Sequence, residues 1–138
     1  MRHLVNPFSP RATKFLEGWL SDSFRVKDFP KDVQEEFAKF KPLSSRPVRL
    51  FRSTSDFING EEYKTYKFTS WTYDLQVAKS FHTSEEEVII SCFIFPKDFL
   101  IDTTLISREV IIKYLNGYPD EKEVIVNPGV YYVSVVEH

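Results

Sequence analysis

Residues 118–126 read YPDEKEVIV, and this short stretch places two glutamates, Glu121 and Glu123, at the mouth of an otherwise apolar segment. In extended chain the side-chain period is two, so the spacing predicts that both carboxylates project from one face as near neighbours. Like charges so placed repel one another. Taken alone, the pattern reads most simply as a solvated strand end, since glutamate is rarely buried. The rest of the chain decides whether it is more than that.

Upstream, PVRLFRS, YKFTSW, EVIISCFIF and FLIDT, and downstream VYYVSVV, join EVIVN as runs rich in β-branched and aromatic residues, bounded by Pro, Gly, Asp or Asn. All lie beyond residue 46. Before them the periodicity is helical. Ser9 and Pro10 form a cap and first-turn pair ahead of Ala12, Phe15, Leu16, Trp19 and Leu20, with Ser21 and Asp22 closing the helix. Val33, Phe37 and Phe40 mark a second helix from about Pro30 to just before Pro42. Two short helices interrupt the strands: DLQVAKSFH, capped by Asp74 with Val77, Ala78 and Phe81 inward, and SREVIIKYL, capped by Ser107. Helices first and strands later predict an α+β fold.

The 138 residues suit one domain, with 1–45 as N-terminal helices and 46–138 as a β-rich core. With 13 Phe and 7 Tyr the chain is too aromatic for a disordered one. A net charge of −2 gives no general reason to bind nucleic acid or an anionic membrane. The single Cys92 allows no internal disulfide and fits a reducing cytoplasm. No apolar run reaches the roughly 18–20 residues of a membrane span, and the first residues lack a secretory signal's apolar stretch. Neither Gly-rich phosphate-cradling motif occurs. His3, His82, His138 and Cys92 are scattered without paired metal-ligand spacing, so no metal is expected, and His82 reads as a surface or cap histidine. A Ser–His–Asp triad has no G-x-S-x-G elbow to support it.

Three segments then stand out by their order. In VRLFRS, Arg52 shares a strand face with Val48 and Leu50, which carries a guanidinium inward. KFTSWTYDLQVAKSF presents hydroxyls at Thr69, Ser70 and Thr72 before a helix N-terminus. The third is EKE at 121–123. An arginine, a serine-bearing strand followed by VAKSF, and a late E-x-E together resemble the R-S-E class of mono-ADP-ribosyltransferases over residues 48–135. Arg52, in LFR, matches that family's aromatic-Arg motif, Ser70 the first serine of its S-T-S motif, and Glu123 its catalytic glutamate. Tyr118 matches an aromatic residue of the loop that leads into E-x-E. The strand departs from the pattern at Trp71, where the family has a small Thr, and at Thr72, which keeps the hydroxyl of the last Ser.

The resemblance implies two packed, mainly antiparallel sheets around an NAD cleft, with NAD as co-substrate and no metal. It implies transfer of ADP-ribose to a protein side chain, arginine for E-x-E members, with release of nicotinamide. Glu123 would stabilise the oxocarbenium-like ribose, Arg52 would bind phosphate, and Ser70 would hold Glu123. Glu121 would orient or deprotonate the acceptor, and Tyr118 would meet the target protein. Ser70, Thr72, Trp71 and Phe81 complete the expected NAD-binding set, the two aromatics read first as packing groups. Similar compact members occur in bacteriophages and act on host proteins, which implies an intracellular target and a cytoplasmic location; the oligomeric state stays open, with a monomer favoured. NAD hydrolysis, a degenerate NAD- or protein-binding module, and transfer to nucleic acid stay open as alternatives.

Overall fold

The computed structural model describes residues 4–21, 26, 28–55, 60–82 and 85–137. The readings made at His3, Asp22 and His138 fall outside them. Helix α1 spans Pro10–Ser21. It starts where the Ser9 hydroxyl accepts a bond from the Ala12 N–H at 3.1 Å, and Ser9 also donates to Glu36 from its N–H (2.9 Å) and its hydroxyl (2.6 Å). One residue thus caps α1 and ties it to α2 (Lys31–Phe37). The second helix stops short of the expected boundary near Pro42, because the Ala38 and Phe40 N–H groups bond i−3 carbonyls and tighten the chain into turns. Phe40 still packs on the helical core.

Seven strands follow among the described residues: β1 (Val48–Thr54), β2 (Glu62–Thr65), β3 (Thr69–Thr72), β4 (Val88–Ile94), β5 (Phe99–Asp102), β6 (Glu123–Val126) and β7 (Gly129–Glu137). Between them lie α3 (Leu75–Ser80), capped by Asp74 on the Gln76 N–H, and α4 (Arg108–Tyr114), capped by Ser107 on the Val110 N–H. The α+β reading therefore holds. The expected strand YKFTSW does not form as one piece. Tyr66 and Lys67 make a bend that leaves Tyr66 81% exposed, and Phe68 turns edge-on against Phe29 with ring centroids 5.3 Å apart. The segment before the bend becomes β2, whose Tyr63 and Thr65 are buried while Glu62 and Lys64 face out. Phe81, expected to face inward, follows the end of α3 and is 50% exposed. His82 is half-buried, with its Nδ1 buried and without a partner among the described residues.

The strands run in the order β2-β7-β4-β1-β3-β6-β5, and every pairing is antiparallel. Where two separate sheets were expected there is one, because β1 and β3 are joined through the single pair Phe51↔Thr72. On either side of that joint the pairing is dense: β1 matches β4 over seven residues, and β3 matches β6 over four. Leu50, Ile90 and Val133 from one wing share a core with Trp71, Val124 and Phe99 from the other. A second core packs α1, α2 and α4 against β5 and β6, with Leu16, Phe37, Ile111 and Ile125 fully or nearly fully buried. No helix among the described residues is long and apolar enough to cross a membrane.

Trp71 is the largest side chain of the shared core and is only 2% exposed. It lies against Tyr63 and Tyr131, and its indole N–H donates to the Thr69 hydroxyl at 2.8 Å. Trp71→Ala is therefore expected to cost about 3–5 kcal/mol of stability through lost burial and the cavity left behind, read from urea denaturation midpoints.

Candidate active site

Beside the Phe51↔Thr72 joint the two wings diverge, and a cleft of about 570 Å³ opens between them. Its floor is built from β1 and β3, one side from the 3-10 turn Pro119–Glu121 and the start of β6, and the opposite side from the end of α1. Arg52, Ser70, Glu121 and Glu123 all line it. So do Phe81 and Tyr118, and Trp71 and Thr72 contribute through the strand that carries them.

Arg52 sits on the same strand row as Leu50 and Val48, and its guanidinium is held from inside the fold. Nε donates to the Tyr63 hydroxyl at 3.1 Å and Nη1 to the Ser70 carbonyl at 2.9 Å. Nη2 has no hydrogen-bond partner, and no carboxylate pairs with the group, among the described residues. A fixed guanidinium with an unused N–H edge beside a cleft is suited to an anion.

The two glutamates are reached by a different backbone route from the one their spacing predicts. Glu121 closes a 3-10 turn, Lys122 is left-handed at φ 48°, and only Glu123 belongs to a strand. Period-two extended geometry is thus not what brings Glu121 and Glu123 together. The turn does, held by the Glu121 N–H on the Tyr118 carbonyl (3.0 Å) and the Lys122 N–H on the Pro119 carbonyl (3.2 Å). Thr72 supports it from β3, its hydroxyl donating to the Glu121 carbonyl at 2.7 Å and accepting from the Asp74 N–H at 3.1 Å. The hydroxyl's one proton is thus given to the acidic turn, which Thr72 supports from within the lining of the cleft. Trp71 packs as first read, its ring lying in the shared core. Gly117, just before the turn, is pressed so close to α1 and α4 that an added Cβ would lie 3.1 Å from Ile111 Cγ2 and 3.2 Å from Leu20 Cβ.

Glu123 is held at both its side chain and its backbone. Ser70 donates a short hydrogen bond from its hydroxyl to Oε2, and the Thr103 hydroxyl holds the Glu123 carbonyl at 2.6 Å. The third contact was not anticipated from the sequence. Trp19, in the last turns of α1, donates its indole N–H to the same Oε2 at 2.7 Å. In the sequence Trp19 reads only as an apolar helix position, and nothing in its spacing marks it as a cleft residue.

Burial pushes the Glu123 carboxyl up to about 7, reinforced by the charge of Glu121 and opposed by the bonds from Ser70 and Trp19 and by the charge of Arg52. Burial also raises Glu121, though less, and its carboxylate has no hydrogen-bond partner among the described residues. Tyr118, at the head of the turn, is 68% exposed. Among the described residues no group of three or more His, Cys, Asp or Glu is placed to hold a metal ion.

A carboxyl raised from its ordinary 4.5 to about 7 binds its proton more tightly in the folded than in the unfolded chain. Its charged form therefore opposes folding, an effect absent below about pH 4.5 and complete above about pH 7. Glu123→Gln is accordingly expected to be more stable than the wild type near pH 8, by on the order of 2 kcal/mol, with the difference fading toward pH 4.5. Paired urea titrations at the two pH values measure it. Comparison with family models, with curated proteins and with solved structures gives no match for this chain.

Proposed function

We propose that this chain is an NAD-dependent mono-ADP-ribosyltransferase that moves ADP-ribose from NAD to a protein side chain, arginine first among the candidates, and releases nicotinamide. What carries the reading is the meeting of Arg52, Ser70, Glu121 and Glu123, from three separate stretches of chain, in one cleft. Its volume of about 570 Å³ falls in the usual range of small-molecule sites, roughly 300–1,000 Å³.

The chemistry follows from the side chains. Arg52, with Nη2 unspent, takes a phosphate of the dinucleotide. Phe81 offers an exposed aromatic face at the cleft for a planar ring. As the bond between the ribose C1′ and the nicotinamide nitrogen breaks, its electron pair leaves with nicotinamide and positive charge develops on the sugar. The Glu123 carboxylate stabilises that charge in a site where burial has removed competing water. The cationic nicotinamide ring of NAD draws Glu123 toward its charged form on binding, since an opposite charge nearby lowers a carboxyl pKa. Glu121 accepts the proton that an attacking guanidinium must lose as its nitrogen bonds to C1′. Tyr118 stands exposed beside it, in position to meet the acceptor protein in the cytoplasm of a target cell.

Incubation with NAD carrying a labelled adenosine, in the presence of cell lysate, is expected to give nicotinamide and labelled protein. Glu123→Ala is expected to abolish both while remaining folded by circular dichroism. Absence of nicotinamide release by the wild type would remove the reading.

The two carboxylates are expected to separate by function. Glu121→Gln should lower protein labelling on the order of 10²-fold while keeping much of the slower nicotinamide release, because water as acceptor needs no proton-accepting partner for a guanidinium. Both are read on one sample. Parallel loss would assign Glu121 to the NAD site instead.

A further inference from the structure

We infer that Trp19 is a positioning residue for Glu123: its indole N–H and the Ser70 hydroxyl together occupy Oε2 and leave Oε1 as the oxygen that faces the reacting group. The catalytic part of this statement rests on the proposed transferase reading, but the positioning itself does not.

Glu123 Oε2 accepts from Trp19 Nε1 at 2.7 Å and from the Ser70 hydroxyl, and the two donors themselves lie 3.4 Å apart. A carboxylate oxygen has two lone-pair sites, so these donors use both. Oε1 has no donor among the described residues. The terminal torsion of a glutamate is broad and nearly two-fold, so without such a clamp the oxygens would exchange places freely. Here the clamp comes from two directions, β3 below and α1 across the cleft, and an exchange would break both bonds together.

Packing alone does not account for an indole at this position. Trp19 is only partly buried, rests at a tilt on Phe29 with centroids 5.5 Å apart, and a phenyl ring would serve that contact equally well. Its N–H is instead aimed into the cleft, at the one carboxylate oxygen already held by serine. The end of α1 that carries it lines the cleft through Gly18, Leu20 and Ser21 as well. The other end is anchored by the Ser9 bonds to Glu36 and by the Asn6 amide donating to the Thr13 hydroxyl at 2.9 Å. The helix therefore delivers the indole from a fixed base. The charged groups that bear on Glu123 are Glu121, which disfavours its ionised form, and Arg52, which favours it. Trp19 and Ser70 act with Arg52, since a donor to a carboxylate stabilises its charged form.

The chain has two tryptophans, which makes the test direct. With the indole nitrogens labelled with ¹⁵N and the glutamate carboxyls with ¹³C, the Glu123 resonance is identified by its loss in Glu123→Gln. In the wild type the Trp19 N–H signal is expected to move with pH at the same midpoint as the Glu123 carboxyl. The Trp71 signal, bonded to the Thr69 hydroxyl, should stay still. Trp19→Phe, which keeps the contact with Phe29, is expected to raise the Glu123 midpoint by about one pH unit. The acid limb of nicotinamide release should move up by the same amount, a loss of about tenfold below the midpoint, with KM for NAD near the wild-type value.

A Trp19 signal that stays flat while Glu123 titrates overturns the inference, as does an unchanged Glu123 midpoint in a folded Trp19→Phe. If that variant does not fold, the wild-type signals decide alone. Shared titration in a protein that cleaves no NAD supports the clamp on Glu123 and removes the transferase reading, so the two failures are distinct.

Discussion

A single carboxylate oxygen, Oε2 of Glu123, is the point on which this structure converges. It receives one donor from the sheet and one from the first helix. Burying a carboxyl at the start of a strand costs free energy unless donors meet it, and here the donors come from residues 51 positions apart in sequence. The cost is offset only in part, as the upward displacement of its pKa shows. What survives is a group poised to change charge near neutrality inside a cleft.

The surroundings are arranged to keep that point in place. The Thr103 hydroxyl holds the Glu123 carbonyl from one neighbouring element, and the Thr72 hydroxyl holds the Glu121 carbonyl from another. Two threonines thus fix the backbone on either side of left-handed Lys122, where the chain could otherwise unwind. The single-pair joint between β1 and β3 serves the same geometry from the other direction. A longer ladder there would hold the two strands together along their length and leave less room for the cleft that Arg52 and Ser70 line.

Most of the regular structure was legible because it follows local rules. Ser9, Asp74 and Ser107 sit at helix starts with a donor within reach, and β4, β5, β6 and β7 are apolar runs with clear bounds. What escaped was non-local. The strand β2 looks polar because Glu62 and Lys64 face water, and only pairing with Tyr132 and Val130 makes it a strand. The bend at Tyr66 goes with Phe68 packing edge-on against Phe29, a contact that sequence spacing does not encode. At the site, the residue types of Arg52, Ser70, Glu121 and Glu123 pointed to one cleft, although period-two alternation was the wrong cause for the meeting of the glutamates. Trp19 was invisible for a plainer reason: at helical spacing an indole aimed at a carboxylate reads the same as one aimed at a core.

The pairing pattern also bears on how the molecule comes to be assembled. Strand β2 is paired by β7, with Glu62 opposite Tyr132, and β3, joined to β1 at one pair alone, gains its ladder from β6, with Thr69 opposite Val126. The nearest pairs of these two ladders, Thr65↔Gly129 and Thr72↔Glu123, each close a loop of fifty residues or more, a topology that folds slowly compared with one built from hairpins. During synthesis α1, α2 and β1 emerge long before the acidic turn and β6. The clamp therefore waits, with Trp19 already made, for a carboxylate that arrives late, and the cleft cannot take shape on the ribosome until the chain has passed Val126.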